Sequence, residues 1–232
     1  MKKRELPIII AATLFFYLSV NAEQKSNEVL KTIVEIRATI PADARTSRAL
    51  GTEREGHGIV IDSDGHILTI GYLIIEAETI QVITADGQSF DAHYVGYDHS
   101  SGLGVLRANM PLGVTPIELG QSSEIKEGEP ILVAGHGGPQ AVQGARVVSR
   151  QEFAGYWEYL LEDAIFTSPP YANFGGAALI GLDGKLLGIG SLYTQVAVPD
   201  VGSLPCNMFV PVDLLKPILT DMIETGRSKN PP

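Results

Sequence analysis

The sequence predicts an all-β protein built as two six-stranded barrels followed by one C-terminal α-helix. Three observations carry this. Six short apolar or alternating runs precede a polar connector at residues 109–128, and six more follow it. Tight turns containing glycine join several of these runs, which is the grammar of β-hairpins. Convincing helical spacing occurs once, at Pro211–Thr225, where apolar residues recur at Leu214, Leu215, Ile218, Leu219, Met222 and Ile223 ahead of the stop signal Gly226.

Taken in order, residues 1–22 read as a targeting segment. Lys2, Lys3 and Arg4 precede the apolar run Leu6–Val20, and Val20-Asn21-Ala22 gives a small-x-Ala ending, so cleavage is expected after Ala22. An apolar run of this length is short for a membrane span. The alternative is a retained anchor formed by residues 6–20. Ser26 or Asn27 offers a helix cap, and Thr32–Ala38 alternates as a strand. Pro41–Gly56 is polar and reads as an exposed loop. His57–Asp62 and His66–Thr69 flank the turn Ser63-Asp64-Gly65. Thr79–Thr84 and Ser89–Gly96 flank Ala85-Asp86-Gly87-Gln88, and Leu103–Arg107 is the sixth strand. This first barrel occupies 23–108. The second barrel and its helix occupy 129–226, with strands at Pro130–Gly135, Ala141–Gln151, Glu158–Thr167, Ala177–Leu182, Lys185–Leu192 and Asn207–Val210. Residues 227–232 are expected to be a disordered tail.

Composition excludes some functions. Asp and Glu outnumber Lys and Arg by 27 to 17, and binding to nucleic acid depends on neutralising phosphates, so a nucleic-acid partner is not expected. Beyond the first 22 residues no stretch is long and apolar enough to span a bilayer, so no membrane association is expected after cleavage. The one cysteine, Cys206, cannot form an internal disulfide and reads as buried filler rather than a nucleophile. An exported chain that relies on its core rather than on disulfides fits a bacterial periplasm.

The segment Ser168–Gly188, SPPYANFGGAALIGLDGKLLG, is the least ordinary stretch. Pro169 and Pro170 lack backbone N–H groups and stiffen the loop. Phe174 is presented immediately before two glycines and a strand. This segment resembles the nucleophile loop of the HtrA (Deg) branch of trypsin-like serine proteases, with Asn173, Gly175, Gly176, Asp183 and Gly184 matching. The likeness continues through Gly58–Thr69, Thr84–Ala92, Gly96–Asp98 with Leu103–Leu106, Glu127–Gly135 and Met208–Val212, in order and spacing. The resemblance implies the double barrel of that family.

It also implies three positions for the catalytic groups. The family serine falls on Phe174, the histidine on Tyr72, and the aspartate on Gly102. A phenyl ring has no lone pair with which to attack a carbonyl, a phenol is a poor base at neutral pH, and glycine holds nothing. Ala172 stands where the family has the glycine of its oxyanion loop, so Ala172, Asn173, Gly175 and Gly176 line what would be the oxyanion and peptide cleft. The resemblance therefore implies a scaffold with no catalytic residue. Asp98-His99-Ser100-Ser101 contains all three residue types but reads as a solvated turn. The five histidines show no metal-ligand spacing and read as surface residues, and no metal or cofactor is expected. Tyr72 and Phe174 are expected to face each other, as core filling or as the lining of an apolar pocket. Tyr156, Trp157 and Tyr159 form an aromatic stretch that suits either core or a contact patch.

Three functions remain open at this stage: an exported polypeptide-binding or regulatory factor, partnered with unfolded chains or with an active protease of the same family; an endopeptidase with an unforeseen residue set; and a purely structural subunit. Oligomeric state is open.

Overall fold

The computed structural model describes residues 24, 26–155 and 159–229. The leader at 1–22, Tyr156 and Trp157, and the last three residues lie outside them.

Twelve strands form two closed antiparallel barrels among the described residues. The first comprises β1 (Ile33–Thr39), β2 (Glu53–Val60), β3 (His66–Ile70), β4 (Thr79–Ile83), β5 (Ser89–Tyr97) and β6 (Leu103–Ala108), in the spatial order β1-β2-β3-β6-β5-β4. Pairing of β1 with β4, Ile36 against Val82, closes the ring. Alternation along β1 sends Val34, Ile36 and Ala38 inward. With Ile59, Ile67, Leu68, Leu103 and Leu106 they make a sealed core. Burial of each such aliphatic side chain stabilises the fold by about 1.5–3 kcal/mol.

The second barrel comprises β7 (Pro130–Ala134), β8 (Val142–Ala154), β9 (Leu160–Ser168), β10 (Ala178–Ile180), β11 (Leu186–Val198) and β12 (Gly202–Pro211), in the order β10-β11-β12-β9-β8-β7. Phe209, Ile131, Val133, Ile165 and Leu179 fill it. The register of β11 against β12 shifts between Gly190 and Leu192, so Ser191 drops out of the ladder. That irregularity faces the junction between the barrels.

The structure departs from the sequence expectations in three places. Pro41–Gly56 is not a plain exposed loop: it holds a helical turn at Ser47–Leu50, β2 begins at Glu53, and Arg54 is buried. The C-terminal helix covers only Leu219–Thr225, preceded by a 3₁₀ turn at Val212–Leu214. Pro217 explains this, since it can donate no hydrogen bond to the carbonyl four residues back and its ring crowds that carbonyl. Finally, the expected tail is tied down as far as Lys229, with Ser228 Oγ donating to Asp98 Oδ1 at 2.6 Å and Lys229 pairing with Asp221 at 2.5 Å. No described helix is long and apolar enough to cross a membrane.

Candidate functional site

Four pieces of backbone converge between the barrels: the 3₁₀ turn Gly71–Leu73, the start of β6, the bulge at Ser191 and the loop joining β9 to β10. Each is held by identifiable bonds. Buried Arg54 donates to the carbonyls of Tyr72 (2.7 Å) and Ile75 (3.1 Å), which fixes the turn that carries Tyr72. Asn207 accepts the Tyr171 N–H at 2.6 Å and pins one end of the β9–β10 loop. At its other end Gly176 donates to Gly190 (2.8 Å), and Gly175 accepts from the His57 N–H (2.9 Å). Gly176 has φ +74°, and a Cβ there would sit 1.9 Å from the His57 carbonyl, so no other residue fits without moving β2.

Between these elements lies a cleft of about 500 Å³ lined by Tyr72, Leu73, Ala172, Asn173, Phe174 and Gly175, and by Glu35, Glu55, His57 and His136. Tyr72, Ala172, Asn173, Phe174 and Gly175 are thus brought together as the sequence suggests; Gly176 is buried behind them. Ala172 and Asn173 are exposed at the rim, and Phe174 is half-buried. Ala172 keeps a negative φ.

Gly102 does not reach the cleft as an empty position. It has φ +76°, and a Cβ built on it would lie 2.0 Å from the ring of Tyr159. The Tyr159 hydroxyl then hydrogen-bonds the Oγ of fully buried Ser191. Tyr72 donates its own hydroxyl to the Ser191 carbonyl at 2.8 Å, and burial raises its pKa further above the ordinary phenol value. Two phenols therefore converge on one serine. Tyr159 resolves one of the sequence alternatives: it is packing, placed on the bare backbone of Gly102. Tyr72 and Phe174 share the cleft, and the Tyr72 hydroxyl is turned towards Ser191.

The Asp98–Ser101 turn is solvated only in part: His99 and Ser100 are exposed, and its two ends are not. Asp98 and Ser101 are buried, with Asp98 Oδ2 accepting both the N–H (2.8 Å) and the hydroxyl (2.7 Å) of Ser101. His99 stacks edge-on against Tyr97 and makes no triad with them. Cys206 is fully buried, which pushes its thiol up to about 11 and leaves it unreactive.

Three of the five histidines also differ from expectation, while His93 and His99 are exposed. His57 and His66 are buried, and His136 is largely covered. His66 Nδ1 meets Asp62 Oδ2 at 2.6 Å, while Asp62 Oδ1 accepts the N–H groups of Asp64 and His66. Ligand atoms of Asp62, Asp64 and His66 lie within 4.8 Å of one another, but these bonds account for the cluster as a hairpin turn. His57 accepts the His136 N–H on Nδ1 at 3.1 Å. His136 Nε2 lies 3.1 Å from the Thr84 carbonyl, and its Nδ1 lies 3.5 Å from Glu35 Oε2. This second polar group on the cleft wall was missed because its members stand far apart in the chain. The sequence signal was present only as the strand pairing that sets Glu35 opposite His57.

Comparison with known proteins agrees with this geometry. The trypsin-like peptidase domain family matches residues 56–189. Periplasmic serine endoprotease DegP of Escherichia coli (strain K12) is 29% identical over 183 residues, covering 75% of this chain and 37% of that protein. Periplasmic pH-dependent serine endoprotease DegQ of the same organism is 27% identical over 235 residues, covering 99% and 49%. Serine protease PepD of Mycobacterium tuberculosis is 30% identical over 217 residues, covering 82% and 46%. The chain thus spans less than half the length of each of these relatives. Among solved structures, the HtrA-type protease AlgW with a tripeptide superposes with a TM-score of 0.67 at 22% identity, covering 87% of this chain and 64% of that one. With the family match, the shared double barrel and the order of its loops, this chain belongs to the trypsin-like peptidases of the HtrA/Deg group.

Proposed function

We propose that this chain is a catalytically inactive HtrA-type homologue that works as an exported polypeptide-binding or regulatory factor. One observation carries the reading. The ring of Tyr159 fills the space above Gly102 where a catalytic carboxylate would project, while Tyr72 and Phe174 stand at the other two positions. Serine-protease chemistry needs a nucleophile, a base to take its proton and a carboxylate to orient that base. Loss of the nucleophile or the base alone lowers turnover by about a million-fold. The open cleft beside these residues supports retained binding of an extended chain, a mode that uses backbone hydrogen bonds and needs no reactive side chain. An unfolded polypeptide or an active protease of the same family would be the partner.

The test pairs two measurements on the purified protein. A fluorophosphonate probe should label no serine, and denatured casein should stay intact, while fluorescent casein binds with a measurable Kd. Stoichiometric labelling, or cutting abolished by one cleft substitution, would establish an endopeptidase instead. No binding of casein and no retained protein from a periplasmic extract would favour a structural subunit.

Export to the periplasm, with removal of residues 1–22, belongs to the same proposal. It is supported by the leader pattern and by the periplasmic relatives. The mature protein should begin at Glu23 on N-terminal sequencing; an intact leader in the membrane fraction would show an anchored form.

A further inference from the structure

We infer that His57 is a proton-operated latch that holds together the two loops walling the cleft, and that acidification releases it. The inference concerns the loops themselves and stands whether the cleft cuts or only binds.

His57 touches both loops at once. Its ring Nδ1 accepts the main-chain N–H of His136, in the β7–β8 loop. Its own N–H donates to the Gly175 carbonyl, in the β9–β10 loop. Its carbonyl lies against Gly176 and accepts the Thr69 hydroxyl at 2.6 Å. A backbone N–H can only donate, so Nδ1 must carry no proton and the neutral ring keeps its hydrogen on Nε2. Nε2 is buried and makes no well-aligned hydrogen bond, although the Asn173 carbonyl lies near enough to act on the ring. The ring is therefore a single-acceptor device: a proton arriving from solvent at Nδ1 turns the acceptor into a second donor aimed at the His136 N–H. That hydrogen bond is then lost, and the β7–β8 loop loses its tie to the first barrel through His57.

The groups facing the ring come from every neighbouring element. β1 contributes Glu35, which is bound by Arg37 at 2.5 Å, and Arg37 also approaches Glu55 of β2 at 3.6 Å. The Gly71–Leu73 turn contributes Tyr72. The β7–β8 loop contributes His136, and the β9–β10 loop contributes Tyr171, whose hydroxyl is spent on the Ala141 carbonyl. Beyond His136, Asp86 is held by the Thr84 hydroxyl. Burial is the largest influence on His57 and lowers its pKa; His136 lowers it further, against the Asn173 carbonyl and Glu35, which favour the charged ring. A base whose folded-state pKa is depressed gives stability that is complete above its unfolded value, about 6.5, and is lost as pH falls towards the folded value. The latch therefore holds at neutral pH and opens in acid.

Amide hydrogen exchange, corrected for the intrinsic rate, tests this. In the native protein, protection of residues 135–141 should fall several-fold between about pH 7.5 and about pH 5, the range in which histidine changes charge. In His57→Gln the same residues should show protection that does not change with pH. Unchanged protection in the native protein, or an equal fall in His57→Gln, overturns the latch. Should that variant not fold, the His57 ring resonances of the native protein decide: titration below the ordinary histidine range together with shifts of the 137–141 amides supports it, and titration without those shifts overturns it.

Discussion

The two flanks of the β9–β10 loop have been treated differently. On one side, Tyr72, Gly102, Tyr159 and Ser191 form a closed arrangement in which every hydroxyl is spent on a neighbour and no group can accept a proton at neutral pH. On the other side, Glu35, His57 and His136 keep a polar, titratable cluster against the same loop. The contrast teaches that one cleft can carry a hydroxyl-only flank and a titratable flank side by side. Tyr72 and Tyr159 offer hydroxyls on one flank, while Glu35, His57 and His136 offer groups that change charge on the other.

The flank of Tyr72, Gly102 and Tyr159 is the place to press hardest. Restoring the three positions as Tyr72→His, Gly102→Asp and Phe174→Ser in one chain should leave casein cleavage at background, although a working triad contributes about a million-fold. Gly102 has φ +76°, which costs an ordinary residue about 1–2 kcal/mol, and the Tyr159 ring leaves no room for a Cβ, which adds about 1–3 kcal/mol. Urea unfolding of Gly102→Asp alone should accordingly show a loss of about 2–5 kcal/mol. Casein cutting by the triple variant would mean that Tyr159 moves aside freely and that the flank is merely vacant.

A smaller effect sharpens the same point. Tyr159→Phe leaves the buried Ser191 Oγ without that partner and should cost about 1–2 kcal/mol, whereas Tyr72→Phe removes one donor from a carbonyl and should cost about 1 kcal/mol. The midpoint shifts in urea compare the two directly. Equal, negligible shifts would show that the hydroxyls merely lie close together and that ring packing alone seals this flank. The pH dependence of exchange at residues 135–141 examines the opposite flank.

Much of the fold was legible because strands and hairpins are written locally. Turns such as Ser63-Asp64-Gly65 and Ala85-Asp86-Gly87-Gln88 sit between the paired strands they announce. The apolar spacing of Pro211–Thr225 predicts a longer helix than forms, because Pro217 removes a backbone donor that the spacing does not register. At the site, the chemical kind of the side chains at positions 72, 102 and 174 could be read from the residues alone. The positions of His57 and His66 could not, since their burial depends on which strand face meets the other barrel or the turn.

The order of residues by itself determined the two barrels and the chemical identity of the groups at positions 72, 102 and 174, because alternation, turn dipeptides and side-chain functional groups are properties of short stretches. Tertiary structure alone decided that Tyr159 lies over Gly102 and that His57 meets His136, 79 positions away. Those contacts form only when barrel closure brings distant strands within hydrogen-bonding distance, and nothing in the local pattern encodes that distance.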